Sequence, residues 1–283
     1  MRMNTSPIIS PEQLAAIIDQ VKIFDVSSGK EAKANYLKEH IKGAYFIDLN
    51  SQLSAIKENA ADGGRHPLPS PEKFARTLSN YGLSPESHII VYDDKNGANA
   101  AARFWWMLRA VGHEKVQVLD GGLASAKLSG IPVSSGEEIP DERFMTYQAD
   151  QWLLPIVNLE QVESVSLDEE HKVIDVREAD RYNGLVEPID LIAGHIPGAI
   201  NIPYMQNLDQ NGRFLEPEQL KEMYERELDG VESKNTIVHC GSGVTACHTL
   251  LAMAYAGLEI PKLYVGSWSE WSRNDMPMVT KDL

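Results

Sequence analysis

Val173-Ile174-Asp175-Val176, then Gly194-His195-Ile196-Pro197-Gly198-Ala199, then Thr236-Ile237-Val238-His239-Cys240 is a series of short motifs that the chain has already used once. The first pass reads Ile23-Phe24-Asp25-Val26, Glu39-His40-Ile41-Lys42-Gly43-Ala44 and Ile89-Ile90-Val91-Tyr92-Asp93. Around these, Ile9-Ser10-Pro11-Glu12-Gln13-Leu14 is echoed by Val157-Asn158-Leu159-Glu160-Gln161-Val162, and Ser70-Pro71-Glu72-Lys73 by Glu216-Pro217-Glu218-Gln219. Order is kept throughout, so the chain reads as a duplicated domain of about 150 residues. The acidic, proline-containing stretch from Val133 to Asp150 is the expected junction. A cut near residue 147 gives domains 1–147 and 148–283. In each half, short β-branched runs alternate with helical patterns, which predicts an α/β fold with a parallel sheet and helices on both faces.

Strands are expected at Ile23–Val26, Ile89–Tyr92, Val116–Leu119, Val173–Val176, Thr236–His239 and Lys262–Val265. Ser10-Pro11-Glu12-Gln13 and Ser70-Pro71 carry the marks of helix starts, a capping serine followed by proline. The Ala- and Leu-rich stretch Val244–Tyr255 predicts a helix, with Gly257 as its stop. Cys240 then sits between a strand and a helix, at the edge where open α/β sheets bind ligands.

The 283 residues carry 26 Lys+Arg against 41 Asp+Glu, a formal charge of −15. Such a surface repels phosphate backbones and anionic lipid, which argues against nucleic-acid and membrane partners. With 43% apolar and 24% charged residues, the composition is globular. No run is long and apolar enough to span a bilayer, and MRMNTSPIIS lacks a signal-peptide core, so a cytoplasmic location is expected. The two cysteines, Cys240 and Cys247, form no disulfide framework, so their interest is chemical. Neither a P-loop nor a GxGxxG after a strand is present, and no cofactor or metal is implied.

The loop His239-Cys240-Gly241-Ser242-Gly243-Val244-Thr245-Ala246 holds two glycines within four residues. They let the backbone curl with its N–H groups inward, and the helix that follows adds the positive end of its dipole. That setting favours a thiolate, making Cys240 a nucleophile; a buried structural thiol is the plainer alternative. A cysteine phosphatase would need an arginine six residues after the cysteine, where this chain has Ala246. A zinc site from His239, Cys240, Cys247 and His248 has no usual ligand spacing.

These residues resemble the rhodanese-type sulfurtransferases in their two-domain form. The resemblance covers nearly the whole chain: the paired Asp-Val strands, the His-Ile-Pro-Gly-Ala turn, the cysteine loop and the closing Gly266-Ser267-Trp268-Ser269-Glu270-Trp271. The loop CGSGVTA is similar to that of the family's 3-mercaptopyruvate members; thiosulfate-preferring members carry Arg and Lys at the positions of Gly241 and Ser242. The resemblance implies a catalytic C-terminal domain and an N-terminal domain without a nucleophile, where Asp93 stands in its place.

By that resemblance, Cys240 takes sulfur from a small donor as a persulfide, and a thiol such as thioredoxin or a small thiol, or cyanide, removes it. Backbone N–H groups from Gly241, Gly243, Val244 and Thr245 would hold the anionic sulfur. Ser242 would help protonate the departing enolate, or is simply a small turn residue. Asp48 and His66 resemble a pair that serves this serine from the N-terminal half; an exposed loop histidine is the other reading of His66. Arg181 matches an arginine that contacts the donor anion, whereas Arg177 is the expected structural ion-pair partner. A second family arginine is missing from Glu187-Pro188-Ile189-Asp190, so the loop points to mercaptopyruvate and the clamp toward thiosulfate. A non-catalytic persulfide carrier or anion-binding module remains the reading from another class. His40 and His195 recur in both halves and suit a structural role at a turn. His239 should face away from Cys240, and Cys247, Trp105, Trp106, Trp268 and Trp271 suit packing, with Trp268 also placed to wall the pocket.

Overall fold

The structure is a computed structural model that describes residues 5–140 and 146–280. Part of the expected junction, 141–145, and the first four residues of the chain lie outside the described residues. The chain forms two compact units. The first takes the residues up to Ala55, Pro69–Leu154 and Gln210–Arg213; the second takes Ile56–Leu68, Pro155–Asp209 and the residues from Phe214 onward.

Unit one carries β1 (Ile8–Ile9), β2 (Lys22–Asp25), β3 (Tyr45–Phe46), β4 (Ile89–Tyr92) and β5 (Val116–Leu119). They pair, all parallel, in the order β1-β5-β4-β2-β3. Unit two carries β6 (Ile156–Val157), β7 (Lys172–Asp175), β8 (Ile200–Asn201), β9 (Thr236–His239) and β10 (Lys262–Tyr264). Their order is β6-β10-β9-β7-β8, again parallel, so the second sheet repeats the first strand for strand. Helices surround both sheets, as expected of an α/β fold. The strands of these two sheets that the sequence reading omitted, β1, β3, β6 and β8, are two-residue edge strands, too short to show any alternation, as are His40–Ile41 and Val133–Ser134, which pair antiparallel with each other. Of the six expected strands, Ile89–Tyr92, Val116–Leu119 and Thr236–His239 match, the other three differ by one residue, and the helix expected from Val244 begins at Ala246.

The repeat extends to side chains. Ile9, Leu14, Ile23, Ile41, Ala44 and Ile90 pack in the first core, and Val157, Val162, Val173, Ile196, Ala199 and Ile237 hold the equivalent places in the second. His40 stacks on Tyr36 with centroids 4.1 Å apart and its Nδ1 lies 2.7 Å from the Tyr36 carbonyl. His195 stacks on Tyr182 at 3.8 Å with Nδ1 2.8 Å from the Tyr182 carbonyl. Each tyrosine hydroxyl then donates to the carbonyl of the alanine that closes the turn, Ala44 or Ala199. Both histidines therefore brace a turn. Ser10 and Asn158 form matching capping boxes with Gln13 and Gln161. Gly257, at φ +75°, ends the helix Ala246–Tyr255 in the left-handed conformation that glycine adopts most readily. Among the described residues, no helix is long and apolar enough to cross a membrane.

Candidate active site

Cys240 follows β9, the central strand of the second sheet, at its C-terminal end. Its backbone is fixed by the segment after β10: the Cys240 N–H donates to Ser267 Oγ at 3.2 Å, and Trp268 N–H donates to the Cys240 carbonyl at 3.0 Å. Ser267 is buried and holds a left-handed φ of +54°, uncommon for a residue with a Cβ, which marks a position held by its surroundings. Gly243 has φ +71°, and a Cβ there would lie 2.4 Å from the Val265 carbonyl oxygen, so the loop can close on β10 only with glycine. The Ser242 N–H reaches Cys240 Sγ at 3.5 Å. Among the described residues, the amides of Gly241, Val244 and Thr245 meet no acceptor.

His66 belongs to the same compact unit as Cys240, and its Nδ1 lies 2.9 Å from Ser242 Oγ, so it is not an exposed loop histidine. Segment 63–66 is anchored residue by residue. Gly63 N–H donates to Glu270 Oε1 at 2.8 Å and Arg65 N–H to Ser269 Oγ at 3.0 Å. A Cβ on Gly64 would lie 2.4 Å from the Gly266 carbonyl oxygen. Asp48 belongs to the other unit, where its Oδ1 accepts from the Ser51 N–H and hydroxyl at 2.8 and 2.7 Å.

Arg177 and Arg181 both sit on carboxylates. Arg177 donates to Asp175 Oδ2 at 2.6 Å and Glu187 Oε2 at 3.3 Å, and its guanidinium lies 4.6 Å from the Trp268 ring centroid. Burial opposes the Asp175 charge, yet His239 and Arg177 beside it hold its carboxyl below the usual range. Arg181 donates to Glu187 Oε1 at 2.7 Å and Asp190 Oδ2 at 3.4 Å, and its Nη1 lies 3.6 Å from Glu178. Burial also opposes the Glu187 charge, but Arg181 and the Asp190 and Ile189 N–H groups keep its carboxyl below the usual range. His239 is buried with Nδ1 toward the Cys240 carbonyl, and burial pushes its pKa down. Cys247 donates to the Gly243 carbonyl at 3.4 Å, and His248 stacks on Phe214.

Two residues escaped the sequence reading. Asp190 is buried and accepts from Arg65 Nε at 3.0 Å and Arg273 Nη1 at 2.9 Å, besides Arg181. Above Gly241, at the place its Cβ would take, the nearest atoms are Arg65 Nη2 at 2.9 Å, Arg181 Nη2 at 3.4 Å and Asp190 Oδ2 at 3.6 Å. The one local hint was the doublet Gly63-Gly64 immediately before a charge, a sign of close backbone approach. The site thus combines a thiol on an N–H-lined loop, a serine–histidine pair and a cluster of guanidinium groups, the equipment for covalent transfer from an anionic small molecule.

Two copies of one fold with this loop in the second define a family. The model of the rhodanese-like domain matches residues 10–128 and 159–274, and the chain belongs to that family. It is a sulfurtransferase by its relatives. The 3-mercaptopyruvate sulfurtransferase of Escherichia coli is 36% identical over 289 residues, which span 98% of this chain and 99% of that one. A Mycobacterium tuberculosis protein provisionally named a thiosulfate sulfurtransferase is 35% identical over 284 residues, 96% of each chain. The crystal structure of SseA from Escherichia coli matches with a TM-score of 0.77 at 34% identity, covering 94% of this chain and all of that one.

Proposed function

We propose that the chain moves sulfane sulfur from 3-mercaptopyruvate to a thiol or cyanide through a persulfide on Cys240. The observation that carries this reading is the Ser242–His66 pair beside the cysteine, 2.9 Å between Oγ and Nδ1. The Cys240 thiolate attacks the donor sulfur, and the carbon–sulfur bond breaks with its electron pair left on carbon as the enolate of pyruvate. Ser242, backed by His66, delivers the proton that turns the enolate into pyruvate. The persulfide stays on the loop, where the N–H groups of Gly241, Gly243, Val244 and Thr245 stabilise its charge without reorganising. Arg181 adds positive charge for the donor carboxylate. Asp48 enters as a residue that tunes the Ser242–His66 pair, as the resemblance implies. An acceptor nucleophile, cyanide, a small thiol or thioredoxin, then takes the outer sulfur and releases the thiolate. We place the enzyme in the cytoplasm, with its catalytic domain in 148–283.

Thiosulfate is the second donor to consider, because Ile189-Asp190 stands where a second arginine would favour a keto acid. In that case sulfite leaves, and no proton is needed. The test is intact-protein mass after each donor without acceptor, then cyanide with a thiocyanate assay, with Cys240→Ser as control. The expected result is one added sulfur from mercaptopyruvate, removed by cyanide and absent in Cys240→Ser. Loading by thiosulfate alone would reassign the donor; loading by neither would leave an anion-binding module.

A further inference from the structure

We infer that His239 is a positioning residue of this site: its Nδ1–H holds the Cys240 carbonyl, and through that peptide group it leaves the Gly241 N–H turned to the anionic sulfur. The inference rests on the sulfur-transfer reading above, in which the loop amides carry the charge of the thiolate and the persulfide.

The hydrogen bonding of the imidazole is the first ground. His239 is the last residue of β9 and is fully buried. Its Nδ1 lies 3.2 Å from the Cys240 carbonyl oxygen, which can only accept, so Nδ1 carries the proton. Nε2 has no hydrogen-bond partner among the described residues. Asp175 Oδ2 stands 3.8 Å from it and already takes two bonds from Arg177. The hydrogen bond that this ring makes is therefore made to the backbone of the nucleophile. Filling space alone is better done by an apolar ring, which would leave no buried nitrogen unpaired.

The geometry of the peptide is the second. The Cys240 carbonyl and the Gly241 N–H belong to one planar group and point in opposite directions. Trp268 N–H, at 3.0 Å, and His239 Nδ1–H together fill the two acceptor positions of the carbonyl, so the peptide cannot turn over without breaking both bonds. The Gly241 N–H is left facing away from both donors, with no acceptor among the described residues. Donors on a carbonyl also polarise the amide and strengthen its N–H.

The first unit is the third. At the position of His239 it has Tyr92, opposite Asp25 in register as His239 is opposite Asp175. The Tyr92 hydroxyl accepts from Ile41 N–H at 3.2 Å, and the loop that follows is held by the Asp93 carboxylate. A loop that carries its own anion is ordered by it. The loop that receives its anion only during reaction has to be ordered beforehand, and His239 is placed to do so.

The experiment is the pH dependence of Cys240 alkylation by iodoacetamide, a neutral probe that does not use the guanidinium groups, read at the Cys240 peptide by mass spectrometry. Wild type, His239→Phe, His239→Asn and His239→Gln are compared, with steady-state kinetics on mercaptopyruvate beside them. Asp175, Arg177, His195 and Tyr264 around the imidazole, and Arg65, Arg181 and Asp190 around Gly241, are the same in all four. Losing a hydrogen bond of ordinary strength predicts that His239→Phe alkylates about 3- to 10-fold more slowly on the acid side of the profile, with the alkaline plateau within about twofold. With mercaptopyruvate, kcat should fall about 3- to 10-fold while KM stays within about twofold, because the donor meets none of the groups removed. His239→Asn places an amide N–H where Nδ1 stands and should bring both readings to within about twofold of wild type. His239→Gln places its amide N–H nearer to Nε2 and should behave as His239→Phe does. The contrast between these two polar variants decides the matter if His239→Phe folds poorly. An alkylation profile unchanged in His239→Phe, or His239→Asn no better than His239→Gln, would overturn the inference and make His239 a packing residue. A wild type that accepts sulfur from neither donor, with the alkylation contrast intact, would overturn the parent reading alone.

Discussion

Asp93 and Cys240 end corresponding strands of two sheets with the same strand order, and the loops after them do opposite things with the same backbone. In the first unit, Asp93 Oδ1 accepts from Lys95 and Gly97 N–H at 2.8 and 2.9 Å, and Oδ2 from Asn99 and Ala101 N–H at 3.0 Å each. The cradle is filled by the chain's own carboxylate, a group that never leaves, although burial pushes its pKa up. In the second unit, the residue at that point is a thiol, one N–H reaches its sulfur, and the amides of Gly241, Val244 and Thr245 meet no acceptor among the described residues. The same anion-holding turn is thus structural in one copy and available to a transient charge in the other. A second pair makes the same point one strand over. Asp25 accepts the Ser27 N–H at 2.9 Å, and Asp175 accepts the Arg177 N–H at 3.0 Å, in equivalent turns. Burial pushes the Asp25 carboxyl up, while His239 and Arg177 override burial and hold the Asp175 carboxyl down. The second copy has an arginine, Arg177, where the first has a small polar residue, Ser27.

The largest test of that contrast is the pair Asp175→Asn and Asp25→Asn. The first leaves Arg177 short of a buried counter-charge and should cost about 3–5 kcal/mol. The second keeps the bond from Ser27 and removes an unpaired buried charge, so it should cost under about 1 kcal/mol, or stabilise. The signs with pH also differ. Asp175, with a depressed pKa, stabilises the fold above the unfolded value of about 3.9, and that stability is lost only as pH falls through its lower folded value. Asp25, with a raised pKa, strains the fold above its folded value, and the strain is relieved as pH falls through it. Hydrogen exchange resolved by unit, at pH 7, at pH 5 and below the unfolded value of about 3.9, would measure both. Similar losses from the two variants would erase the distinction drawn between the copies.

What the sequence made legible was local or repeated. Long β-branched strands, capping serines and the glycine-flanked cysteine each announce themselves within a few residues, and duplication allowed one half to check the other. Arg65 on Asp190 joins positions 125 residues apart, and Gly63 on Glu270 positions 207 apart. No periodicity reports such contacts. Ser267 was hidden for a different reason: a left-handed φ is announced by glycine, and here a serine adopts it because its hydroxyl is needed by the Cys240 amide. Asp93 was seen to replace the nucleophile, but that its carboxylate fills the loop required coordinates. Arg181 was read as the donor's partner from its place in the chain, and its three nitrogens turned out to be engaged with carboxylates.

The next effect in size concerns the filled cradle. Asp93→Asn keeps one acceptor oxygen but turns an NH2 group toward two of the four amides. Unmet buried donors predict a loss of about 2–3 kcal/mol, confined to the first unit. Sulfur transfer by Cys240 should persist in folded protein, because the second loop does not use Asp93. A variant as stable as wild type would mean that the first loop does not need its internal anion, and the comparison between a filled and an open cradle would lose its physical basis.

The smallest effect separates two jobs within the open cradle. Ser242 offers a backbone N–H to Cys240 Sγ and a hydroxyl to His66, and Ser242→Ala removes only the second. With mercaptopyruvate the leaving group is the enolate of pyruvate, which must be protonated, whereas sulfite leaves from thiosulfate as a stable anion. With His66 and solvent still able to deliver a proton, the loss should stay below the 10²–10⁴ typical of a sole general acid, about 10-fold in kcat for mercaptopyruvate. With thiosulfate it should stay within about twofold. Equal losses with both donors would place the role of Ser242 in holding the sulfur anion, and would leave the enolate to be protonated by water alone.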